Sequence, residues 1–295
     1  MKCLFCDRKP EIRLKRHRAW LCRDCYPKFF ERQVMRAVEK EGMFSHSDRI
    51  CVAVSGGKDS MGLLHSLKKL GYDVTALFID LGIEGYSKES RRVVEGYTER
   101  EGTPLIVYDL KKEKGKGLPE IQKRGRSRCA VCGIIKRYVM NRVSLGKFDA
   151  LATGHTLDDA VVFLFSDTLQ WNLEPMSRHL PVLEAGEGMV RKVKPLYRVT
   201  DQETLLYVET ERIPYWKGKC PYQVTSKQKQ YKEIWNRLEE ITPGIKQNFY
   251  LSFLRNMIPH LRSEKPDLKR CRECGGPTTR EVCSFCSLFS TSQGP

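Results

Sequence analysis

Three sets of cysteines in this sequence could do chemistry. Cys3, Cys6, Cys22 and Cys25 form CxxC-x15-CxxC, and Cys271, Cys274, Cys283 and Cys286 form CxxC-x8-CxxC. Each set offers four thiolates that one tetrahedral zinc ion can gather, and four protein sulfurs leave no coordination position open for catalysis. Cys129, Cys132 and the distant Cys220 stand apart from both. Three thiolates could hold three corners of a 4Fe-4S cluster and leave the fourth iron open to an exogenous sulfide. They could equally carry a persulfide and its resolving thiol, or form a disulfide, or lie buried and inert. Lys136 follows Cys132 by four residues, on the same helix face, where its charge favours a thiolate or activates a base. Cys51 sits inside an apolar run and reads as a packed core residue.

A second kind of chemistry lies in Ser55-Gly56-Gly57-Lys58-Asp59-Ser60, which follows the apolar run Ile50-Cys51-Val52-Ala53-Val54 and opens a helical pattern. A strand, a tight glycine turn and a helix start aim backbone N–H groups and the positive helix end at phosphate. The spacing is not that of a Walker A loop. The plainer reading is an ordinary Gly-Gly turn with Ser55 and Ser60 as caps. Further on, Thr153-Gly154-His155-Thr156-Leu157-Asp158-Asp159-Ala160 ends another strand. Thr156 and Asp159 are spaced as a helix N-cap pair, which leaves Asp158 as the preferred functional aspartate.

The elements that must position these groups alternate. Strands are expected at 50–54, 74–80, 104–109 and 150–153, with helices at 58–70, 88–101, 133–145 and 156–171. That rhythm predicts an α/β fold, a parallel sheet with helices on both faces. An edge strand or hairpin is expected at 190–198, and a helix at 200–212 with Thr200 and Glu203 as its capping box. Helices near 227–241 and 244–258 close the domain. The expected division is an N-terminal zinc-binding unit at 1–35, a catalytic domain at 36–265 and a C-terminal zinc-binding unit at 266–295. Neither small unit is large enough to fold on a core of its own, so metal would supply the folding energy.

Lys plus Arg number 52 against 36 acidic residues, a net charge of +16, which points to a polyanionic partner and to nucleic acid first. Residues 1–40 carry a net +7 and residues 111–147 a net +10. The stretch KKEKGKGLPEIQKRGRSR lacks apolar periodicity and reads as a mobile basic loop leading into Cys129. No apolar run is long enough to span a bilayer, and the first residues show no signal-peptide core, so a cytoplasmic chain without membrane partners is expected.

SGGKDS after an IxVAVS strand resembles the PP-loop of the ATP pyrophosphatases that adenylate an oxygen and release pyrophosphate. By that resemblance Ser55, Gly57 and Ser60 hold phosphate oxygens, Lys58 neutralises charge, and Asp59 coordinates Mg2+ or orients the reacting groups. The flanking Ala53 and Val54, and Ile79 at the end of the second strand, belong to the same ATP site. Thr153–Ala160 is similar to the TGHNxDD signature of tRNA-modifying members, which adds Gly154, His155 and Asp159 to the nucleotide site. Thr156 replaces the usual Asn and Ala160 the usual following Glu. Terminal knuckles, PP-loop, CxxC with a distant Cys, GHxLDD and the stretch CGxxKRY together resemble the TtuA-type tRNA 2-thiouridine synthetases over nearly the whole chain.

The resemblance implies an ATP-dependent tRNA sulfurtransferase. ATP adenylates O2 of a tRNA uridine, pyrophosphate leaves, and sulfur displaces AMP at C2, with catalytic roles for Asp59, Lys136 and Asp158. It implies ATP, Mg2+, two Zn2+ and a 4Fe-4S cluster on Cys129, Cys132 and Cys220. It implies a ubiquitin-like carrier that delivers sulfur as a C-terminal thiocarboxylate, and a homodimer. LxTGHxLDD and PGIKQNF (243–249) look more like the branch that modifies the T-loop 5-methyluridine than the wobble-uridine branch. The remaining alternative is a non-catalytic, zinc-dependent RNA-binding protein.

Overall fold

The run Ile50–Val52 is buried without alternation, as a strand covered on both faces must be. In the computed structural model, which describes residues 2–123, 125–222, 227–261 and 267–290, that run lies in the middle of a six-stranded sheet. The chain begins with a hairpin, β1 (Ile12–Leu14) and β2 (Ala19–Leu21), followed by α1 (Tyr26–Lys40). The central body is β3 (Arg49–Val54), α2 (Lys58–Lys69), β4 (Asp73–Asp80), α3 (Tyr86–Glu101), β5 (Leu105–Asp109), α4 (Leu110–Lys114), α5 (Arg128–Ser144), β6 (Ala150–Thr153) and α6 (Leu157–Thr168). After these come α7 (Leu173–Met176), β7 (Val182–Leu183), β8 (Lys192–Val193), α8 (Asp201–Thr210), α9 (Lys227–Ile241) and α10 (Ile245–Ser252). A last hairpin, β9 (Lys269–Arg270) and β10 (Pro277–Thr278), lies in the C-terminal knuckle.

The strand order is β5-β4-β3-β6-β8-β7, parallel except for β7, which runs antiparallel to β8. The chain winds from β3 outward to β5, then crosses back to place β6 on the other side of β3. The two strands that flank this reversal end side by side, with Ala53 opposite Thr153. Open α/β sheets bind ligands at such a switch point, outside the strand carboxyl ends. Ser55–Ser60 and Gly154–Asp159 both begin there. Cys51 is fully buried between Leu77 and Leu151, the packed position expected of it.

Several boundaries differ from expectation, each for a local reason. The helix expected from 133 starts at Arg128, because the Ser127 hydroxyl caps it by accepting the Ala130 N–H at 3.2 Å. Cys129 and Cys132 therefore lie in its first turns. The stretch expected to be a mobile loop is partly pinned. Leu118 and Ile121 are buried under α5, and Arg128 reaches back to donate to the Leu118 carbonyl at 3.1 Å. The expected hairpin near 190–198 is the shorter β7–β8 pair.

Both ends dock on the body. The expected division at 35 falls inside α1, whose Phe29, Phe30 and Val34 join the main core; Phe30 stacks on Tyr207 of α8 at 4.0 Å. At the other end Phe285 stacks on Tyr138 of α5 at 3.7 Å, almost parallel. Among the described residues, no helix is long and apolar enough to cross a membrane.

Candidate active site

The turn after β3 is built around two glycines. Gly56 has φ +80°, and a Cβ there would lie 2.8 Å from the Ser90 carbonyl oxygen of α3. Only glycine fits both constraints. Gly57 is extended and caps α2 without a side-chain bond, which leaves the first amides of α2 free for an anion. Ser60 ties the loop from inside: its hydroxyl donates to the Gly57 carbonyl at 3.0 Å and accepts the Ser55 N–H at 3.0 Å. The Lys58 ammonium meets the Asp59 carboxylate at 2.5 Å. Burial, opposed by Lys58 and reinforced by Asp201 and Asp159, pushes Asp59 up to about 6.

Gly154 fits against this loop from β6. A Cβ on it would stand 2.9 Å from the Ser60 amide nitrogen and 3.0 Å from the Asp59 carbonyl carbon. The next residue, His155, is exposed at the strand end and exchanges a hydrogen bond with the Thr153 hydroxyl at 2.8 Å. Thr156 and Asp159 form the expected capping box of α6. Asp159 also faces the loop's charges: its Oδ1 lies 2.8 Å from Lys232 Nζ, which reaches Asp201 Oδ2 at the same distance.

Asp158 is placed differently from the functional aspartate expected of it. It points inward, 4% exposed, paired with the equally buried Lys246 at 2.5 Å and accepting the Asp201 N–H at 2.8 Å. The cause is helix periodicity: once Thr156 and Asp159 form the cap on the pocket side, the residue between them must turn toward the body. The carboxylates that face the loop are Asp59, Asp159 and Asp201. Asp201 and Lys232 went unnoticed in the sequence, where Asp201 is only the first residue of a capped helix.

One extended segment links the loop to the thiols. The Trp216 N–H donates to the Gly56 carbonyl at 2.7 Å, and Cys220 follows four residues later. The Trp216 indole N–H is buried and has no hydrogen-bond partner among the described residues. The indole ring lies against Gly218, where a Cβ would stand 2.4 Å from Nε1, so the donor is left for a partner outside the described residues. Trp216 was also missed; its aromatic ring inside the basic run TyrTrpLysGlyLysCys was the available signal.

Cys132 and Cys220 pack into one apolar cluster with Tyr86 and Tyr222, and the exposed Cys129 thiol donates to the Tyr222 carbonyl at 3.3 Å. Burial raises the Cys132 pKa, and the charge of Lys136 opposes it most strongly. Lys136 also bears electrostatically on His155. The trio is not drawn within the 4.8 Å that gathers each terminal set. Cys132 and Cys220 lie against one apolar cluster with Cys129 at its edge, a set of three sulfurs that could hold three corners of a 4Fe-4S cluster.

The terminal sets do fit zinc. Sulfurs of Cys3, Cys6, Cys22 and Cys25 lie within 4.8 Å of one another, and so do those of Cys271, Cys274, Cys283 and Cys286. Backbone amides aim at them: Cys22 N–H donates to Cys3 Sγ at 3.3 Å and Cys283 N–H to Cys271 Sγ at 3.2 Å. Burial opposes ionisation at Cys3 and Cys271, but backbone amides, Phe5 foremost at Cys3 and Cys283 at Cys271, override it and bring both down to about 6, while burial pushes Cys25 up to about 12 and raises Cys286. Four gathered sulfurs of this kind are the donor set of a structural zinc site. A separate cavity of about 440 Å³ opens beside His155, between Phe163, His179, Lys194 and Tyr250.

Comparison with known proteins places this geometry. The PP-loop domain family matches residues 27–228. A tRNA-5-methyluridine(54) 2-sulfurtransferase of Thermus thermophilus is 39% identical over 98% of this chain and 91% of its own length. The protein of that name from Pyrococcus horikoshii is 37% identical over 98% of this chain and 94% of its own. Among solved structures, the U34-tRNA thiolase NcsA of Methanococcus maripaludis, with its [4Fe-4S] cluster, superposes with a TM-score of 0.84 at 26% identity, covering 98% of this chain and 95% of that one. On these matches, the chain belongs to the PP-loop family and, within it, to the tRNA 2-sulfurtransferases.

Proposed function

We propose that this protein is an ATP-dependent tRNA sulfurtransferase that converts the T-loop 5-methyluridine to its 2-thio form. The observation that carries the reading is the segment from Trp216 to Cys220, which joins an anion-binding loop to a cluster of thiols within four residues. Its full-length relatives carry that activity in their names.

In this reading the α2 amides, Ser55, Gly57 and Ser60 hold the β- and γ-phosphates of ATP, Lys58 offsets their charge, and the Trp216 indole donates to the nucleotide. Ala53, Val54 and Ile79 line the adenine side. Asp59 and Asp159 are the residues that would hold Mg2+. The target base is extruded and enters the cavity beside His155. Its O2 attacks the α-phosphorus and pyrophosphate leaves. Sulfide then adds to C2, and AMP departs with the former O2, so that C=O becomes C=S. Lys136 takes the proton released from the incoming sulfur species. Asp158, locked to Lys246, positions the start of α6 and takes no part in the chemistry.

Cys129, Cys132 and Cys220 would hold a 4Fe-4S cluster, which supplies an open iron site for sulfide when bound. The terminal sets would each hold Zn2+ and serve structure alone. The sulfur comes from a thiocarboxylated ubiquitin-like carrier, the enzyme works as a homodimer, and the reaction takes place in the cytoplasm, as the names of its eukaryotic relatives, cytoplasmic tRNA 2-thiolation proteins, support. In the division into 1–35, 36–265 and 266–295, the zinc-bearing segments at the two ends flank the catalytic body, with α1 joining the N-terminal one to its core.

Nucleoside mass spectrometry of tRNA from a strain lacking the gene tests the reading: 2-thio-5-methyluridine should vanish and return on complementation. Loss of 2-thiolated wobble uridine instead, with the T-loop base unchanged, would assign the enzyme to the branch whose fold it shares with NcsA.

A further inference from the structure

In the N-terminal hairpin, Arg13 of β1 stands directly opposite Trp20 of β2. Strand alternation sends their neighbours Leu14, Ala19 and Leu21 into the core, so this one cross-strand pair faces outward. The Arg13 guanidinium lies over the Trp20 ring, 5.3 Å from its centroid. Lys15 and Arg18, both exposed, flank the pair from the turn between the strands. Among the described residues none of Arg13, Lys15 and Arg18 is in an ion pair, although other charges of the same unit are. Together with Pro243 they line a concave space of about 290 Å³.

Three residues tie this space to the start of α6. Pro243 forms its far wall, Lys246 holds Asp158, and Gln247 accepts a hydrogen bond at 2.7 Å from Arg16, the hairpin residue beside Lys15. The hairpin is thus fixed relative to the strand end where the target base must sit.

We propose that this concave face is a second nucleotide seat for the tRNA substrate. An unpaired base stacks on the Arg13–Trp20 pair, and Lys15 and Arg18 take the phosphates on either side of it. Unpartnered cations around an aromatic ring are the arrangement that binds single-stranded nucleic acid: the ring takes a base of any identity and the cations track the backbone. The proposal rests on the tRNA-sulfurtransferase reading, since it assigns the substrate's second contact.

The test is the affinity of zinc-loaded, full-length protein for unmodified tRNA, by anisotropy across a salt series. Trp20→Ala should raise the tRNA Kd about tenfold, Trp20→Phe should restore most of it, and Lys15→Ala with Arg18→Ala should lower the salt slope by about one to two. All three should leave the KM for ATP unchanged, and the single-turnover rate at saturating tRNA as well. An unchanged tRNA Kd in a Trp20→Ala protein that retains its zinc would overturn the seat. So would equal losses in Trp20→Ala and Trp20→Phe, because stacking would then not be the contact. A wild-type protein that fails to bind tRNA at all would sink the sulfurtransferase reading itself, which separates the two failures.

Discussion

Arg16 grips Glu203 with a two-point fork, Nε to Oε1 at 2.8 Å and Nη2 to Oε2 at 2.5 Å, with both side chains under a tenth exposed. One carboxylate thereby serves two ends of the molecule. It accepts the Thr200 N–H at 2.9 Å in the capping box of α8, and it anchors the hairpin of the N-terminal knuckle. Burial works to raise the Glu203 pKa, but Arg16 foremost, with His17 beside it, holds it at about 2.

The pH dependence follows. Folding lowers this carboxyl below its ordinary 4.5, so its stabilisation is fully present above that value and is lost as pH falls toward 2. Glu203→Gln strands the Arg16 charge and should cost about 3–5 kcal/mol at neutral pH. Urea unfolding should show the gap to wild type closing between pH 4.5 and 2; a gap constant with pH would contradict the assignment.

Gly154→Ala should stop the first half-reaction. The added carbon meets backbone of Asp59 and Ser60 at 2.9–3.0 Å, atoms that cannot swing aside as a side chain would. We expect ATP-dependent pyrophosphate release to fall about tenfold or more, more than 1.4 kcal/mol of transition-state stabilisation. Circular dichroism should stay near wild type. Retained turnover would show that the loop shifts freely.

Neighbouring aspartates should part ways. Lys246→Ala leaves Asp158 buried and unpaired and should destabilise the fold by about 3–5 kcal/mol. Asp159→Asn keeps a capping side chain and should cost about 1 kcal/mol or less in stability, while thiolation falls steeply. Parallel unfolding curves and product assays check both; the reverse pattern would restore Asp158 as the chemical residue.

Trp216→Phe removes only the indole N–H and ring area. If that orphan donor meets a charged phosphate oxygen, the KM for ATP should rise about tenfold, in keeping with about 1.5–3 kcal/mol for a hydrogen bond to a charged group. Isothermal titration with a non-hydrolysable nucleotide should show the same loss. Equal affinity would leave the indole without a role.

Alanine at Cys129, Cys132 or Cys220 should abolish thiolation and leave folding and ATP binding intact. Alanine at Cys22 or Cys283 should instead release zinc and lower the melting temperature. Anaerobic reconstitution with iron and sulfide should give visible absorption that the central variants lack. Activity without that absorption would favour a persulfide on the same thiols.

The sheet and the loop were legible because strong local signals agree with the topology: a continuous apolar run, two glycines and a helix start follow one another between Ile50 and Lys58. The Thr200–Glu203 cap was legible for the same reason. What was not legible depends on distance in sequence. Nothing local to Glu203 announces Arg16, 187 residues away, and nothing near Asp158 announces Lys246. Asp158 and Asp159 look interchangeable as text, and only the cap geometry decides which one turns inward. Trp216 and Lys232 approach the loop from segments whose own patterns are those of an ordinary strap and an ordinary surface helix.

The stack of Phe285 on Tyr138 carries a consequence for how the molecule is made. The apolar side of α5, with Val131, Ile134, Ile135 and Val139, is covered in part by residues 271–289. A ribosome therefore exposes the nucleotide loop more than two hundred residues before it delivers the cover for the thiol-bearing helix. A chain that stops before residue 271 keeps an uncovered, greasy sulfur helix, so loss of the last knuckle by nonsense mutation should yield aggregate in the cell rather than an idle enzyme.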